Sequence, residues 1–130
     1  QLAAFADDLD IVVSVLPLTL ETTGIMNAGF FGMLADGAFI INGGRGPQGG
    51  DDDLLAALGS GKLGGAALDV FAVEPLPQDH PFWTHPKVRV WPHVAAQTNA
   101  TSAAEQVAAA ITAMMDGSEP ANRVDWSRGY

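Results

Sequence analysis

The chain has 130 residues, of which 6 are lysine or arginine and 15 are aspartate or glutamate, so its formal net charge is −9 at pH 7. Such an acidic chain has little to neutralise a phosphate backbone or an anionic bilayer, so neither a nucleic acid nor a membrane is expected as a partner. The sequence holds no cysteine, which excludes disulfides, thiolate metal sites and a cysteine nucleophile from this chain.

Four short apolar segments are typical of strands in a parallel sheet. The first, residues 9–16, is rich in valine and stops at Pro17, which predicts a strand buried on both faces. Similar segments follow at residues 38–42, 65–71 and 88–91. Because helical segments separate the first three strands, the pattern predicts a layered α/β fold with right-handed crossovers.

Two helices are predicted between these strands. Asn27 is suited to cap a helix over residues 28–34. A second helix over residues 51–58 is expected to stop at the glycines within residues 59–61. Its three leading aspartates, residues 51–53, are interpreted as favourable charge at a helix N-terminus.

A third helix is predicted after the last strand. Ser102 and Glu105 have the spacing of a capping box, and Gly117 is expected to end the helix. Its apolar residues fall on one face, which predicts a helix packed on the core. These residues are Val107, Ala108, Ile111, Met114 and Met115. Residues 118–130 are polar and aperiodic, and we interpret them as a surface tail.

A glycine-rich loop follows the second predicted strand. Residues 44–49 match the spacing G-x-G-x-x-G of dinucleotide-binding loops. However, Pro47 has no N–H for a pyrophosphate, and the carboxylates of residues 51–53 stand where a phosphate would dock. We therefore interpret the glycines as allowing close backbone approach and directing Arg45 outward from the end of a strand.

Three polar side chains, Arg45, Glu74 and His93, follow three different predicted strands. The carboxyl ends of parallel strands meet at one edge of a sheet, so these side chains are expected in one crevice. A guanidinium can bind a carboxylate through two hydrogen bonds. A carboxylate beside an imidazole favours its protonated form and so provides a proton donor. Taken singly, Arg45 also fits a surface ion pair and His93 a structural histidine; the combination favours a catalytic site.

Other polar residues have structural or open interpretations. Asp69, at a strand end, is either a turn or cap residue or an acceptor for an amide group of a ligand. His80 and His85 do not match the spacing of common zinc sites, so no metal is predicted. Phe82 and Trp83, which lie between them, are interpreted as hydrophobic plugs beneath a loop.

Several motifs occur in a characteristic order along the chain. They are Asn-Gly-Gly-Arg-Gly at 42–46, Gly-Lys-Leu-Gly-Gly-Ala-Ala-Leu-Asp-Val-Phe at 61–71, Glu-Pro-Leu-Pro at 74–77, His-Pro-Phe-Trp at 80–83, Pro-His-Val-Ala at 92–95 and the ending at 124–130. Together they resemble the C-terminal half of the D-isomer-specific 2-hydroxyacid dehydrogenases, and within that family the glyoxylate/hydroxypyruvate reductase A group. The resemblance extends over essentially the whole chain.

The resemblance implies roles for particular residues. The family's catalytic trio falls on Arg45, Glu74 and His93. Arg45 would bind the carboxylate of a 2-oxo acid and polarise its carbonyl group. His93 would donate a proton, and Glu74 would keep His93 protonated and oriented. Contacts to the nicotinamide side of NAD(P)H are expected at Leu16, Pro17, Gly43, Gly44, Asp69, Ala95 and Ala96.

The resemblance also implies a fold and an activity. Residues 1–97 are expected to be the second half of a doubly wound, Rossmann-like NAD(P)-binding domain. Residues 98–130 are expected to be a crossover helix and tail leading to a substrate domain. The phosphate-binding fingerprint is then expected before Gln1, and the isolated chain is expected to be inactive. The implied protein is a cytoplasmic homodimer that reduces small 2-oxo acids, of the glyoxylate or hydroxypyruvate type, with NAD(P)H.

One departure and two alternatives accompany this resemblance. Gly44 stands where the family usually has Ala, Ser or Thr, and Pro47, Gly49 and Gly50 replace apolar residues, which predicts a looser loop around Arg45. One alternative is a non-catalytic NAD(H)-sensing module of the same fold. The other is the family's formate-oxidising branch, which pairs its histidine with glutamine and is therefore disfavoured by Glu74.

Overall fold

The computed structural model describes residues 1–129; Tyr130, the end of the last family-like motif, lies outside the described residues. In chain order the elements are α1 (Leu2–Ala6), β1 (Ile11–Ser14), α2 (Ala28–Met33), β2 (Ala38–Asn42), α3 (Asp51–Ser60), β3 (Leu63–Leu68), β4 (Val88–Val90) and α4 (Ala100–Met115). Two short 3₁₀ turns cover Gly46–Gln48 and Pro81–Trp83. The short helix α1 was not among the predicted elements.

The four strands form one parallel sheet in the order β1-β2-β3-β4, which confirms the predicted α/β architecture. Strand β3 ends at Leu68, three residues before its predicted end. The reason is that the chain leaves the sheet there: the Phe71 N–H is bonded by the Glu74 carboxylate instead of a neighbouring strand. Because all four strands are parallel, the loops that follow them begin at the same edge of the sheet.

The sheet is buried on one face only, so the prediction of burial on both faces is wrong. Val12 and Ile40 are buried in a core with the helical residues Phe31 and Leu58. The alternate side chains point the other way, and Ile11 is 59% exposed. The physical reason is that α2 and α3 supply apolar side chains to one face, whereas no helix among residues 1–95 covers the other.

The predicted boundaries of the first two long helices are close to those observed. Asn27 caps α2 by accepting a hydrogen bond from the Phe30 N–H at 3.1 Å, as predicted. Helix α3 continues to Ser60 and ends at Gly61, whose φ of 84° lies in the left-handed region that favours glycine. Asp53 also accepts the Ala28 N–H at 3.0 Å, which joins the start of α3 to the start of α2.

Residues from Ala96 onward form a second compact unit, which contains α4. The cap of α4 is Asn99, which accepts the Ser102 N–H at 3.1 Å, so the prediction that Ser102 caps the helix is wrong. The helix therefore begins earlier, at Ala100. None of its residues is buried: Ile111 is 54% and Met115 82% exposed, so the predicted packing of its apolar face on a core stays a prediction. No helix within residues 1–129 is long and apolar enough to span a bilayer.

The uncovered face of the sheet predicts that the 130-residue chain associates with itself. Replacing Ile11 and Val13, which are 59% and 56% exposed, by threonine keeps the β-branched shape and removes apolar surface. We expect the double variant to raise the concentration for half-association about tenfold, as measured by light scattering. Leu20→Thr, at a loop residue that is 98% exposed, is the matched control. A monomeric wild-type chain, or an equal effect of the control, would contradict this prediction.

Candidate active site

Glu74 and His93, from loops after β3 and β4, form a direct pair at the carboxyl edge of the sheet. His93 Nδ1 lies 2.8 Å from Glu74 Oε2, and the other carboxylate oxygen, Oε1, accepts the Phe71 N–H at 2.9 Å. The carboxylate is thus held by two bonds that restrict its rotation. With Nδ1 engaged by Glu74, the Nε2 atom of His93 remains the ring nitrogen that can meet a substrate.

The surroundings of Glu74 favour its charged form. The hydrogen bond from His93 and, next, the backbone N–H of Phe71 hold the pKa of the Glu74 carboxyl below its ordinary value of 4.5. Glu74 therefore carries a negative charge at neutral pH and can stabilise a positive charge on the imidazole. His93 itself has a φ of 58°, a left-handed conformation that side-chain-bearing residues seldom adopt and that is often found at functional sites.

Asp69 organises the segment that follows His93. Its two carboxylate oxygens accept the N–H groups of Val94 and Ala95 at 2.9 Å and 2.8 Å. The side chain is buried, with 7% exposure, and its backbone N–H continues the sheet by bonding to the Asn42 carbonyl. Of the two interpretations of Asp69, the structure shows the first, in which Asp69 caps a turn. Its contact with a cofactor stays a prediction.

Arg45 lies on a loop that is tightly held, so the expectation of a loose loop is wrong. Asn42 Oδ1 accepts the Gly44 N–H at 3.1 Å, and its amide nitrogen donates to the Arg45 carbonyl at 3.3 Å. A Cβ at Gly46 would overlap the backbone of Phe71, so only glycine permits this approach. The Arg45 loop is therefore seated on the same residue that binds Glu74. Gly44 and Gly46 allow close packing, whereas a Cβ at Gly49 or Gly50 would make only ordinary contacts.

The Arg45 side chain is exposed and extends from this loop. One guanidinium nitrogen, Nη1, donates to the Gly44 carbonyl at 2.7 Å. No hydrogen bond or ion pair joins Arg45 to Glu74 or His93 within residues 1–129. The structure thus brings two of the three predicted catalytic side chains into contact. It links the third to them through the backbone contact of Gly46 with Phe71.

Two cavities flank the Glu74–His93 pair. One, of about 440 Å³, is lined by three predicted cofactor residues, Gly43, Asp69 and Ala95, together with Ile41, Asn42, Ala67, Trp91 and Val94. The other, of about 450 Å³, is lined by Phe71, Glu74, Pro75, Leu76, Trp83, Val90, Trp91, Pro92 and His93. Trp91 belongs to both linings. Three predicted cofactor residues thus line one cavity and two predicted catalytic residues, Glu74 and His93, line the other, whereas Arg45 lines neither.

The remaining four predicted cofactor residues are not among those that line the first cavity. Leu16 and Pro17 follow β1, and their carbonyl oxygens accept hydrogen bonds from the Gln48 amide at 2.9 Å and 3.1 Å. Gly44 is buried in the adjoining loop, and Ala96 begins the second unit. The first cavity suits a nicotinamide ring because it is mostly apolar and contains the Asp69 carboxylate. At its lining, a Cβ added to Gly43 would lie 3.6 Å from that of Ala95, an ordinary van der Waals contact.

Sequence reasoning missed the buried amide Gln48 and misjudged Trp83. Phe82 is buried as expected, but Trp83 is 52% exposed, because its indole N–H reaches the Pro77 carbonyl at 2.8 Å instead of the core. His80 lies 3.3 Å from Asp51 and accepts the Phe82 N–H, which is a structural role. No group of three metal-ligating side chains occurs within residues 1–129. Gln48 could have been noticed as a polar residue in a glycine-rich loop.

The comparison with known families agrees with this geometry. Residues 1–95 match the family model described as the D-isomer specific 2-hydroxyacid dehydrogenase, NAD binding domain. The chain belongs to this family. Its fold is accordingly the Rossmann-like fold of an NAD-binding domain, as the resemblance implied.

The chain is also similar to individual members of the 2-hydroxyacid dehydrogenase family. It is 50% identical over all 130 residues to glyoxylate/hydroxypyruvate reductase A of Serratia proteamaculans and 45% identical to that of Citrobacter koseri. A family member from Xanthobacter autotrophicus, solved with NADPH and MES, superimposes with a TM-score of 0.95 at 44% identity, covering 99% of this chain and 53% of the other. An NADPH-dependent glyoxylate/hydroxypyruvate reductase from Sinorhizobium meliloti, solved with NADP and sulfate, gives 0.92 at 40% identity, covering 99% of this chain and 42% of that one.

The chain spans only part of these relatives. It covers 42% of the length of the Serratia and Citrobacter proteins.

The lowered pKa of Glu74 predicts a pH-dependent contribution to stability. A carboxyl group with a lowered pKa stabilises the fold above its unfolded value, here 4.5, and this stabilisation is lost as the pH falls through the lowered pKa. We expect Glu74→Gln to lower the thermal midpoint near neutral pH, and this difference to begin to shrink as the pH falls below 4.5 and to vanish only once the pH is below the lowered pKa of Glu74. Thermal unfolding followed by circular dichroism from about pH 7 to about pH 3 measures it. Glu21→Gln is the matched control, and a Glu74→Gln deficit that persists undiminished at the acid end would contradict the prediction.

Proposed function

We propose that this chain supplies the nicotinamide-binding side and the catalytic residues of a reductase. Its reaction converts small 2-oxo acids, of the glyoxylate or hydroxypyruvate type, into D-2-hydroxy acids with NAD(P)H. The observation that carries the proposal is the His93–Glu74 pair at the carboxyl edge of the sheet. This pair lines one cavity, and Asp69 lines a second cavity beside it. Relatives named as such reductases, at up to 50% identity, support the assignment.

The substrate's carboxylate would be bound by Arg45. A guanidinium has five N–H donors in a planar fork, and only one nitrogen is used, by the Gly44 carbonyl. The donors that remain can form two parallel hydrogen bonds with a carboxylate. The same positive charge withdraws electrons from the neighbouring carbonyl group of a 2-oxo acid. Arg45 therefore binds the substrate and makes its carbonyl carbon more electrophilic.

The proton for the new hydroxyl group would come from His93. Nδ1–H donates to Glu74, so the protonated ring presents its second N–H, on Nε2, to the carbonyl oxygen. As the carbonyl carbon is reduced, the Nε2 proton moves to the oxygen and leaves a neutral imidazole. Glu74 remains a carboxylate throughout. When bound, the reduced nicotinamide supplies the hydride, and the residues suited to hold it are those of the Asp69 cavity.

We further propose the organisation of the whole protein. Residues 1–97 would be part of the NAD(P)-binding domain, and residues 98–130 would lead to a substrate domain. The working protein would be a cytoplasmic homodimer whose partner molecule is a small 2-oxo acid, with no nucleic acid or membrane involved. The exposed apolar side chains of α4, and relatives of which this chain covers 42%, support a longer and more fully packed protein.

Replacing His93 tests the catalytic role. In the full-length protein we expect His93→Ala to lower kcat for glyoxylate or hydroxypyruvate by about a hundredfold to ten-thousandfold, because the proton donor is lost. The dissociation constant for NADPH, measured by fluorescence titration, should change less than about twofold. His85→Ala is the matched control, since the side-chain hydrogen bond that His85 makes within residues 1–129 is one accepted from the backbone N–H of Lys87, away from the Glu74–His93 pair.

The same experiment separates the enzyme from an NAD(H)-sensing module. A sensor would bind the cofactor yet show no turnover with any 2-oxo acid before mutation. Full activity in His93→Ala would also contradict the proposed mechanism.

The role of Glu74 in orienting His93 has its own test. Because the carboxylate holds the ring through Nδ1 at 2.8 Å, Glu74→Gln should lower kcat/KM for the 2-oxo acid about tenfold or more while the dissociation constant for NADPH stays unchanged. The measurement is steady-state kinetics of the full-length protein beside a fluorescence titration with NADPH. An unchanged kcat/KM in Glu74→Gln would remove this role from Glu74.

A further inference from the structure

Gln48 is a buried polar side chain that joins two loops of the site. Its exposure is 0%, and no other side chain of its polarity is so completely enclosed in residues 1–129. The carboxamide oxygen accepts the Ser14 hydroxyl at 3.2 Å and the Arg45 N–H at 3.0 Å. The amide nitrogen donates to the carbonyl oxygens of Leu16 and Pro17 at 2.9 Å and 3.1 Å.

These four bonds use the whole hydrogen-bonding capacity of a carboxamide. Its two N–H donors meet two carbonyl oxygens, which can only accept, and its oxygen meets a backbone N–H, which can only donate. The amide therefore has one satisfactory orientation. Removing the carboxamide would take from the partly buried Leu16 carbonyl and Arg45 N–H the partner they have, which is costly, whereas the Pro17 carbonyl also accepts the Thr22 hydroxyl at 2.7 Å.

Gly44 provides the space for this carboxamide. A Cβ at position 44 would overlap Gln48 Oε1 and would lie 3.0 Å from the Leu16 carbonyl oxygen. An alanine at this position would therefore push the carboxamide away from its four partners. Gly44 and Gln48 are thus a matched pair, in which the missing side chain of one accommodates the side chain of the other.

We propose that Gln48, seated in the space left by Gly44, is a positioning residue that fixes the Arg45 backbone against the Leu16–Pro17 segment. This inference rests on the proposed function, in which Arg45 binds the substrate's carboxylate. Gln48 touches neither substrate nor cofactor. It acts by setting the distance between the loop that carries the anion-binding guanidinium and the loop expected beside the nicotinamide.

The arrangement also decides which groups of the Leu16–Pro17 segment can meet a ligand. Both carbonyl oxygens of this segment point at Gln48 and are already bonded. The Pro17 carbonyl also accepts the Thr22 hydroxyl at 2.7 Å, so both of its acceptor positions are filled, whereas the Leu16 carbonyl keeps one. Gln48 and Thr22 together thus withdraw the Pro17 carbonyl from a bound cofactor.

A double-mutant cycle in the full-length protein tests the proposal with Gln48→Ala, Gly44→Ala and both together. Each single change should raise KM for the 2-oxo acid and lower kcat/KM about tenfold or more, because Arg45 is displaced. The second change should add less than about twofold to the first, since both act through one carboxamide. The Arg45 N–H donates to Gln48 Oε1, so its hydrogen exchange should become faster in all three variants.

Two further variants distinguish positioning from a loss of stability. Gln48→Met keeps the length of the side chain without its hydrogen bonds and should behave as Gln48→Ala does. Leu58→Ala, at a core residue of α3 with 1% exposure, should lower the thermal midpoint and leave KM unchanged. Additive effects of Gly44→Ala and Gln48→Ala, or lowered midpoints with unchanged KM and unchanged exchange at Arg45, would overturn the proposal.

Failure of the proposed function would look different. If the wild-type protein reduces no 2-oxo acid, the function is wrong, and the exchange of the Arg45 amide still tests whether Gln48 holds this loop: faster exchange supports the structural part of the proposal and unchanged exchange overturns it. If the wild type is active and only the Gln48 variants fail to change KM, the function stands and the role of Gln48 falls.

Discussion

The site depends on the close approach of two backbones, at Gly46 and Phe71. Glycine is required there because any side chain would occupy the space of the Phe71 peptide group. One side of this contact carries Arg45, and the other carries the Phe71 N–H that binds Glu74. Because Glu74 in turn binds His93, a single backbone contact sets the spacing between the Arg45 loop and the Glu74–His93 pair.

Around this contact, polar side chains hold loops in place by accepting or donating to backbone groups. Asp69 holds the segment after His93, Asn42 holds the Arg45 loop, and Gln48 ties that loop to the segment after β1. Such bonds are effective because the groups they satisfy are partly or fully buried, where an unpaired N–H or carbonyl is costly. The loops that bear the candidate catalytic groups are therefore ordered even though they lie outside the helices and strands.

The strength of the sequence argument varied with the range of the interactions concerned. Strand and helix positions follow from apolar patterns and caps such as Asn27, which act between near neighbours, and these predictions were mostly right. The end of β3 and the cap of α4 depended on competing local hydrogen bonds, at Glu74 and Asn99, that composition does not rank. Burial on both sheet faces was wrong because apolar character does not specify which faces the remaining chain covers.

By itself the sequence determined the parallel α/β class, the edge of the sheet at which the loops after the strands lie, and three candidate catalytic side chains. It could do so because strand direction alone places those loops at one edge. Only the tertiary structure decided that Glu74 and His93 are paired, that Asp69 caps the next segment, and that Gln48 fills the space beside Gly44. The hydrogen bonds concerned join residues that are 19 to 34 positions apart, and the Gln48 side chain occupies space that exists because Gly44 has no side chain. Neither kind of contact produces a periodic pattern in the sequence.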